Sequence, residues 1–325
     1  MGLSIKIGLS AVAMCVMLAG CTSSNKPPAQ IGSPSGGQVQ SNSDEQAWRG
    51  YYEPKVFTTG NTETPYQVML PEGFDPSKQY PVVLFLHGAG ERGEDNYVQL
   101  NNGGKLFVEH RADFPAIVIF PQAPKDDYWA VVEADRSHLP FTFDYPFTGE
   151  NDVPPTKALK GVMALTDWVA DQPFVDTSRF YLMGLSMGGM GSYELLARKP
   201  DVFAAAVVIC GGANAELVDN IRADLPLWAF HGGADDIVVP EYNQRMVNGL
   251  KQQGNPVKFT VFEGVNHNSW DSAFAEPQLF PWLFSHVKQT GYVLPHCSTC
   301  SCQLKASPKL WGVCTPWALA QARSK

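Results

Sequence analysis

The sequence predicts an α/β fold in which a mostly parallel, twisted sheet is covered by helices on both faces. Between about residues 49 and 289, short apolar runs of strand length alternate with longer amphipathic runs, as is typical of parallel sheets with crossover helices. Several short runs are almost continuously apolar, which is expected of strands buried on both faces. Roughly 240 residues suffice for one sizeable core, so we expect a single domain over residues 49–289.

In the first half of this domain, the sequence pattern predicts an antiparallel pair of strands, two buried strands and one helix. The ranges are residues 55–59 and 66–70 for the pair, 82–86 and 116–120 for the buried strands, and 156–170 for the helix. The second half predicts strands over residues 180–183, 204–209, 225–230 and 257–262, and helices over residues 187–197, 241–252 and 278–288. Parallel strands end at one edge of the sheet, so residues that follow them are candidates for a shared site.

The turn between residues 183 and 188 has the pattern of a nucleophile elbow. The pentapeptide Gly184-Leu185-Ser186-Met187-Gly188 follows a predicted strand and opens a predicted helix. Such a turn holds a serine on a sharp bend with its hydroxyl exposed, and the flanking glycines leave room where a Cβ would collide. Ser186 is therefore the candidate nucleophile.

A candidate base and two candidate acids follow later strands. Asp235 and Asp236 lie in a Gly-containing turn after one strand, and His267 follows the last strand. A serine nucleophile needs a base to take its proton and a carboxylate to orient that base, and a nucleophile elbow is followed by its acid and then its histidine. His267 is the predicted base. One of the two aspartates is the acid and the other caps the next helix, while His231 is predicted to pack beside the turn.

A further glycine-rich turn, His87-Gly88-Ala89-Gly90, follows the strand at residues 82–86. A loop in this position can supply a backbone N–H group to a developing oxyanion, although such loops can also cradle phosphate. No Lys-Ser or Lys-Thr pair follows the glycines, and their spacing does not fit a dinucleotide fingerprint. The sequence therefore favours an oxyanion loop over a phosphate loop.

These motifs, in this order, resemble those of secreted serine esterases of the α/β-hydrolase superfamily over about residues 51–289. The most similar branch includes dienelactone-hydrolase-like esterases, feruloyl and acetyl esterases, polyhydroxyalkanoate depolymerases and the prolyl-oligopeptidase catalytic domain. The resemblance implies an α/β-hydrolase fold, and its His-Gly-x-x-Asp pattern implies Asp235 rather than Asp236 as the acid. By resemblance to His-Gly-x-Gly loops, the oxyanion donors are the backbone N–H groups of Ala89 and Met187.

The resemblance also implies a function and its partners. We expect a serine carboxylic ester hydrolase that acts through an acyl-enzyme on short-chain, aromatic or carbohydrate-linked esters, with no metal or organic cofactor. The alternative is a serine peptidase related to prolyl oligopeptidase. The region before the domain is too short for a propeller, which argues against this alternative. A third class is a non-enzymatic lipoprotein that uses a hydrolase-like fold for binding. The net charge of −8 gives no support for a nucleic-acid partner.

The N-terminal residues predict export and attachment to a membrane. Residues 1–20 have the pattern of a signal peptide that ends at the lipobox Leu18-Ala19-Gly20-Cys21, which predicts a lipid anchor at Cys21. The alternative is an ordinary secretory signal. Residues 21–48 are rich in Ser, Asn, Gln, Gly and Pro and predict a flexible tether. The residue after the cysteine is Thr22 rather than an aspartate, as in lipoproteins of Gram-negative bacteria that this sequence resembles, which suggests sorting to the outer membrane.

Two tryptophans are candidate substrate-binding residues. Trp129 lies in a long aromatic stretch, residues 121–154, which exceeds a plain crossover in length. Trp270 lies three residues after His267, where related esterases often have a tryptophan. The aromatic residues of the long stretch can line a pocket or simply pack the loop onto the body.

The C-terminal residues 290–325 form a cysteine-containing tail beyond the resemblance. Its cysteines are Cys297, Cys300, Cys302 and Cys314. An exported chain favours disulfides over a zinc site for such a cluster, so no metal is predicted. Cys210 follows an apolar strand, where a buried thiol is ordinary.

Overall fold

The computed structural model describes residues 47–149 and 153–288. An eight-stranded sheet with the order β1-β2-β4-β3-β7-β8-β9-β10 runs through the centre, and β5 and β6 form a separate hairpin. The strands are β1 (Glu53–Thr59), β2 (Thr62–Met69), β3 (Tyr80–Leu86), β4 (Ile117–Pro121), β5 (Glu133–Asp135), β6 (Thr142–Asp144), β7 (Val175–Leu185), β8 (Ala205–Ile209), β9 (Leu227–Gly232) and β10 (Val257–Phe262). β1 pairs antiparallel with β2, and β2 pairs antiparallel with β4. The remaining neighbours in the sheet order, β4-β3-β7-β8-β9-β10, are all parallel.

Within residues 47–149 and 153–288, six α-helices cover the two faces of the sheet. They are α1 (Gly104–His110), α2 (Lys157–Ala170), α3 (Met187–Arg198), α4 (Pro240–Gln253), α5 (Trp270–Phe274) and α6 (Leu279–Phe284). The apolar residues of α2, α3 and α4 pack on one face, and those of α1, α5 and α6 pack on the other. Within β3, Leu84 belongs to the first core and Phe85 to the second, and both are buried. A strand covered on both faces has no polar side to present, which explains its continuously apolar sequence.

The prediction of an α/β fold is confirmed, and most strand and helix predictions agree with the structure to within a few residues. Thr156, predicted to begin a helix, is instead the N-cap of α2, where its hydroxyl accepts a hydrogen bond from the N–H of Leu159. The last helix ends at Phe284 rather than at residue 288. Helices α1 and α5 and the β5–β6 hairpin are absent from the sequence prediction. The hairpin lies inside the long aromatic stretch, where its strands are only three residues each.

No helix among residues 47–149 and 153–288 has the length and apolar character needed to span a bilayer. The predicted signal peptide, the lipidation site at Cys21 and most of the tether lie outside the described residues. The four cysteines of the C-terminal tail also lie outside them.

Candidate active site

Ser186 lies on the turn between β7 and α3, in a backbone conformation that few side chains adopt. Its φ is 54° and its ψ is −118°, and its backbone N–H donates to the carbonyl oxygen of Ile209 at 2.9 Å. A Cβ on Gly188 would lie 1.9 Å from the carbonyl oxygen of Leu86, and one on Gly184 would lie 2.3 Å from that of Gly188. Only glycine fits at both positions, so the turn can press against the neighbouring strand while it presents the serine hydroxyl.

The side chains of Ser186, His267 and Asp235 form one continuous hydrogen-bonded chain. The Ser186 Oγ lies 2.8 Å from the His267 Nε2. The His267 Nδ1 lies 2.8 Å from the Asp235 Oδ2. An ionised carboxylate only accepts hydrogen bonds, so the His267 Nδ1–H donates to Asp235 and leaves Nε2 free to accept from the serine hydroxyl. The sequence-predicted residues are thus brought together in the order that proton removal from Ser186 requires.

Asp235, and not Asp236, is the carboxylate in contact with His267. The Asp235 side chain is fully buried, and its Oδ1 accepts hydrogen bonds from the backbone N–H groups of Ile237 at 3.0 Å and Val238 at 2.9 Å. Burial alone would raise the pKa of Asp235, but hydrogen bonds from His231, His267 and the Val238 N–H outweigh it and hold the pKa well below its usual range. Asp236 is exposed on the same turn.

His231 contributes more than the packing predicted for it. Its Nε2–H lies 2.7 Å from the Val238 carbonyl oxygen and 3.3 Å from the Asp235 Oδ2, while its Nδ1 lies 3.2 Å from the Asn243 amide nitrogen. The Asn243 Oδ1 in turn accepts from the Tyr193 hydroxyl at 2.5 Å. Tyr193 belongs to α3 and Asn243 to α4, so a buried polar network joins the turn of Asp235 to the helix that follows Ser186.

The loop that contains Ala89 is fixed by hydrogen bonds to its carbonyl groups. The buried imidazole of His87 lies 2.7 Å from the Gly88 carbonyl oxygen through Nδ1, and its Nε2 accepts from the Ala123 N–H at 3.0 Å. Burial lowers the pKa of His87 to about 4, which matches this neutral arrangement. The Arg92 Nε donates to the Ala89 carbonyl oxygen at 3.0 Å.

Ala89 and Met187 both begin helical segments that border the cavity of Ser186. Met187 is the first residue of α3, and Ala89 is the first residue of a short 3-10 helix. The first N–H groups of a helix have no carbonyl partner within it, so they are available to a bound oxygen. Both residues line the same cavity as Ser186 and His267.

This cavity has a volume of about 450 Å³ and walls that are mostly apolar. Trp270 lines it, as predicted, and its ring meets the His267 imidazole edge to face with centroids 5.6 Å apart. The other apolar side chains of the cavity are Phe141, Phe143, Leu185, Met187, Met190, Ile237 and Val238. Phe141 and Phe143 extend from the unpredicted β5–β6 hairpin, so part of the long aromatic stretch does lie over the site.

The prediction of a substrate contact for Trp129 needs correction. Its side chain is fully buried in the core, its Nε1–H donates to the His87 carbonyl oxygen at 3.1 Å, and its ring contacts the His87 imidazole. Trp129 therefore packs beneath the loop of Ala89. The neighbouring Tyr128 lines the cavity instead.

Three polar residues of the cavity were not recognised from the sequence: Glu91, Asn102 and Arg136. Glu91 directly follows the glycine-rich loop, and that position was the one signal that could have identified it. Asn102 and Arg136 lie far along the chain from any motif, and only the fold brings them to the cavity.

The thiol of Cys210 lies beside the triad in a group that could in principle hold a metal. Ligand atoms of Cys210, Asp235 and His267 all lie within 4.8 Å of one another. Asp235 and His267 are already hydrogen-bonded to each other. Burial raises the pKa of the Cys210 thiol, which keeps it protonated and makes it a poor metal ligand.

A buried parallel sheet with a nucleophile turn, an acid and a histidine at the carboxyl edge defines an α/β-hydrolase. The model of the dienelactone hydrolase family matches residues 147–279. The crystal structure of a thermostable esterase is 31% identical and superimposes with a TM-score of 0.64, over 74% of this chain and 64% of that one. These findings confirm the prediction of an α/β-hydrolase similar to serine esterases.

Several curated relatives are named as esterases. A bifunctional acetylxylan esterase/xylanase of Neocallimastix patriciarum is 25% identical over 185 residues, which is 56% of this chain and 22% of the relative. Feruloyl esterase B of Thermothelomyces thermophilus is 27% identical over 162 residues, which is 50% of this chain and 48% of the relative. The chain spans only 22% of the length of the first two curated relatives it matches.

Proposed function

We propose that the protein is a serine carboxylic ester hydrolase in which Ser186 is the nucleophile, His267 the general base and Asp235 the orienting acid. The observation that carries the proposal is the unbroken hydrogen-bonded chain from the Ser186 Oγ to the buried Asp235 carboxylate, which opens into a cavity. The esterase similarities described above support carboxylic ester hydrolysis in general. The assignment of each residue to a step rests on the geometry.

In the first step, Ser186 attacks the ester carbonyl while His267 takes its proton through Nε2. Negative charge develops on the carbonyl oxygen and is stabilised by the N–H groups of Ala89 and Met187. Asp235 holds the imidazole in the tautomer that can accept this proton and stabilises the imidazolium that results. His267 then gives the proton to the departing alcohol, which leaves an acyl group on Ser186.

In the second step, water replaces the alcohol. His267 takes a proton from the water, which attacks the acyl-enzyme, and the same N–H groups stabilise the second oxyanion. Collapse of this intermediate releases the acid and returns the proton to Ser186. Every proton transfer in the cycle uses the His267 Nε2, so no metal or organic cofactor enters the proposed mechanism.

The cavity favours small or flat acyl groups. Aromatic side chains of the β5–β6 hairpin and Trp270 form its walls, and aromatic walls bind flat rings or sugar faces well. The names of the relatives point to feruloyl and acetylxylan esters for those proteins. We therefore propose short-chain, aromatic and carbohydrate-linked esters as the substrate class of this chain.

We also propose that the protein is a lipoprotein of the bacterial cell envelope, anchored through Cys21. The Leu18-Ala19-Gly20-Cys21 pattern after an apolar stretch supports this proposal. In detergent phase partitioning of the full chain expressed in a bacterium, the wild type should enter the detergent phase. The Cys21→Ser variant should enter the aqueous phase, and equal partitioning of both would contradict an anchor.

Hydrolysis assays test the proposed chemistry. p-Nitrophenyl acetate and methyl ferulate should be hydrolysed, a proline anilide should not, and the Ser186→Ala variant should lose activity on both esters. Full turnover by a folded Ser186→Ala variant would exclude Ser186 as the nucleophile. Hydrolysis of the anilide alone would replace the esterase proposal by a peptidase.

A further inference from the structure

Glu91 is a buried carboxyl group inside the cavity that the proposed mechanism does not use. Only 8% of the residue is exposed, and none of its oxygens forms an ion pair with a cation among the described residues. A buried carboxyl costs free energy unless something contacts it. Hydrogen bonds from Asn102 and from nearby backbone N–H groups offset part of this cost, and the position of Glu91 in the cavity wall lets a bound molecule contact it as well.

The carboxyl of Glu91 lies close to Ser186. A Cβ placed on Gly88 would be 3.1 Å from the Glu91 Oε2 and 3.7 Å from the Ser186 Cβ. The same point is 2.8 Å from the Leu185 Cδ1, so Glu91, Leu185 and Ser186 line one corner of the cavity. A group on the substrate only a few bonds from the reacting carbonyl can reach Glu91 while the carbonyl is at Ser186.

Asn102 fixes the orientation of this carboxyl. Its Nδ2 donates to the Glu91 Oε1 at 2.7 Å, and Asn102 also lines the cavity. The N–H groups of Gly88 and Glu91 also face the carboxyl, but its two oxygens offer about four acceptor positions, so it can still take a hydrogen bond from a bound molecule. A carboxyl held in one orientation loses little entropy when it binds a partner.

The environment of Glu91 is suited to a neutral polar group rather than a charged one. Burial raises the pKa of Glu91, although Asn102 and the N–H groups of Glu91 and Gly88 partly offset the rise. Whether ionised or neutral, the carboxyl can accept a hydrogen bond from a hydroxyl group of the substrate. Arg136 on another wall of the cavity disfavours an ammonium group there, and a substrate carboxylate would face the charge of an ionised Glu91.

We propose that Glu91 and Asn102 form a subsite for a hydroxyl group close to the ester bond of the substrate, so that Glu91 determines specificity for hydroxylated esters. The inference rests on the proposed esterase function and adds a chemical requirement to it. The hydroxyl can belong to the alcohol part, as on a sugar or polyol beside the esterified position, or to the acyl part, as in a hydroxy acid.

Two pairs of esters that differ by a hydroxyl in place of a methyl group test the subsite and distinguish these sources. For the alcohol part, 2-hydroxyethyl acetate is compared with propyl acetate. For the acyl part, ethyl glycolate is compared with ethyl propionate. The measured quantity is the ratio of kcat/KM within each pair, in the wild type, Glu91→Gln and Glu91→Leu.

The ratio in Glu91→Leu should fall about tenfold below that of the wild type for at least one pair, because one hydrogen bond to the hydroxyl is lost. Glu91→Gln keeps a donor and an acceptor and should retain most of the preference. Each ratio is internal to one variant, so a loss of folded protein slows both esters equally and leaves the ratio unchanged. The intrinsic reactivity of each ester cancels when variants are compared.

A ratio that is the same in the wild type and Glu91→Leu for both pairs would overturn the subsite and leave Glu91 as a brace for the loop. A loss confined to the acetate pair assigns the hydroxyl to the alcohol part, and a loss confined to the glycolate pair assigns it to the acyl part. If the wild type hydrolysed none of the four esters or p-nitrophenyl acetate, the proposed function would fail and the subsite with it.

Discussion

The ends of the central strands and the β5–β6 hairpin both face the candidate active site, but they are held in very different ways. Ser186 and Asp235 follow buried strands, and backbone hydrogen bonds fix both. The hairpin has two strands of three residues, and its residues 133–140 are all exposed. The rigid edge fixes the proposed chemistry, and the lightly supported hairpin supplies walls that can change without disturbing it.

The strongest test of the rigid edge compares two neighbouring aspartates. Asp235→Asn should lower kcat on p-nitrophenyl acetate about 10,000-fold, because an amide favours the wrong tautomer of His267. Asp236→Asn changes an exposed side chain on the same turn and should stay within about twofold. A large loss in Asp236→Asn with a small loss in Asp235→Asn would reverse the assignment of the acid.

A second test asks whether the nucleophile turn is as tightly packed as its glycines indicate. Gly188→Ala places a Cβ against backbone atoms of β3 and should lower the free energy of unfolding by about 3 kcal/mol or more. Gly90→Ala meets nothing within 4 Å and should change it by less than about 0.5 kcal/mol. Urea unfolding of both variants measures the difference, and equal stability would mean that the turn is loosely packed.

The smallest expected effect is on the hairpin. Phe141 lines the cavity, so Phe141→Ala should reduce kcat/KM for methyl ferulate relative to p-nitrophenyl acetate about tenfold while stability changes little. Leu139→Ala is the matched control, since Leu139 lies on the same hairpin, is 56% exposed and does not line the cavity. An unchanged substrate ratio in Phe141→Ala would remove the hairpin from substrate recognition.

The same contrast explains what could be predicted from the sequence. Ser186 and His267 were recognisable because strand and turn patterns are local and the sheet brings strand ends together. The choice of Asp235 over Asp236 needed the family resemblance, since both lie in one turn and only side-chain direction separates them. The geometry agrees with the choice.

The cavity walls were much less predictable. Trp129 and Tyr128 are adjacent in sequence, yet the first is buried beneath the loop of Ala89 and the second lines the cavity. Aromatic composition does not reveal which ring faces inward. Asn102 comes from a segment with no motif and reaches Glu91 only through the fold, so no local pattern could have paired them.

Covalent labelling can show whether Ser186 is the activated nucleophile of this protein. The protein is treated with a fluorophosphonate, which reacts with an activated serine, and the modified residue is identified by peptide mass spectrometry. We expect one adduct, on Ser186, with loss of ester hydrolysis in proportion to labelling, and little adduct in the His267→Ala variant. Inactivation with the label on another residue, or full hydrolysis by protein labelled on Ser186, would contradict this expectation.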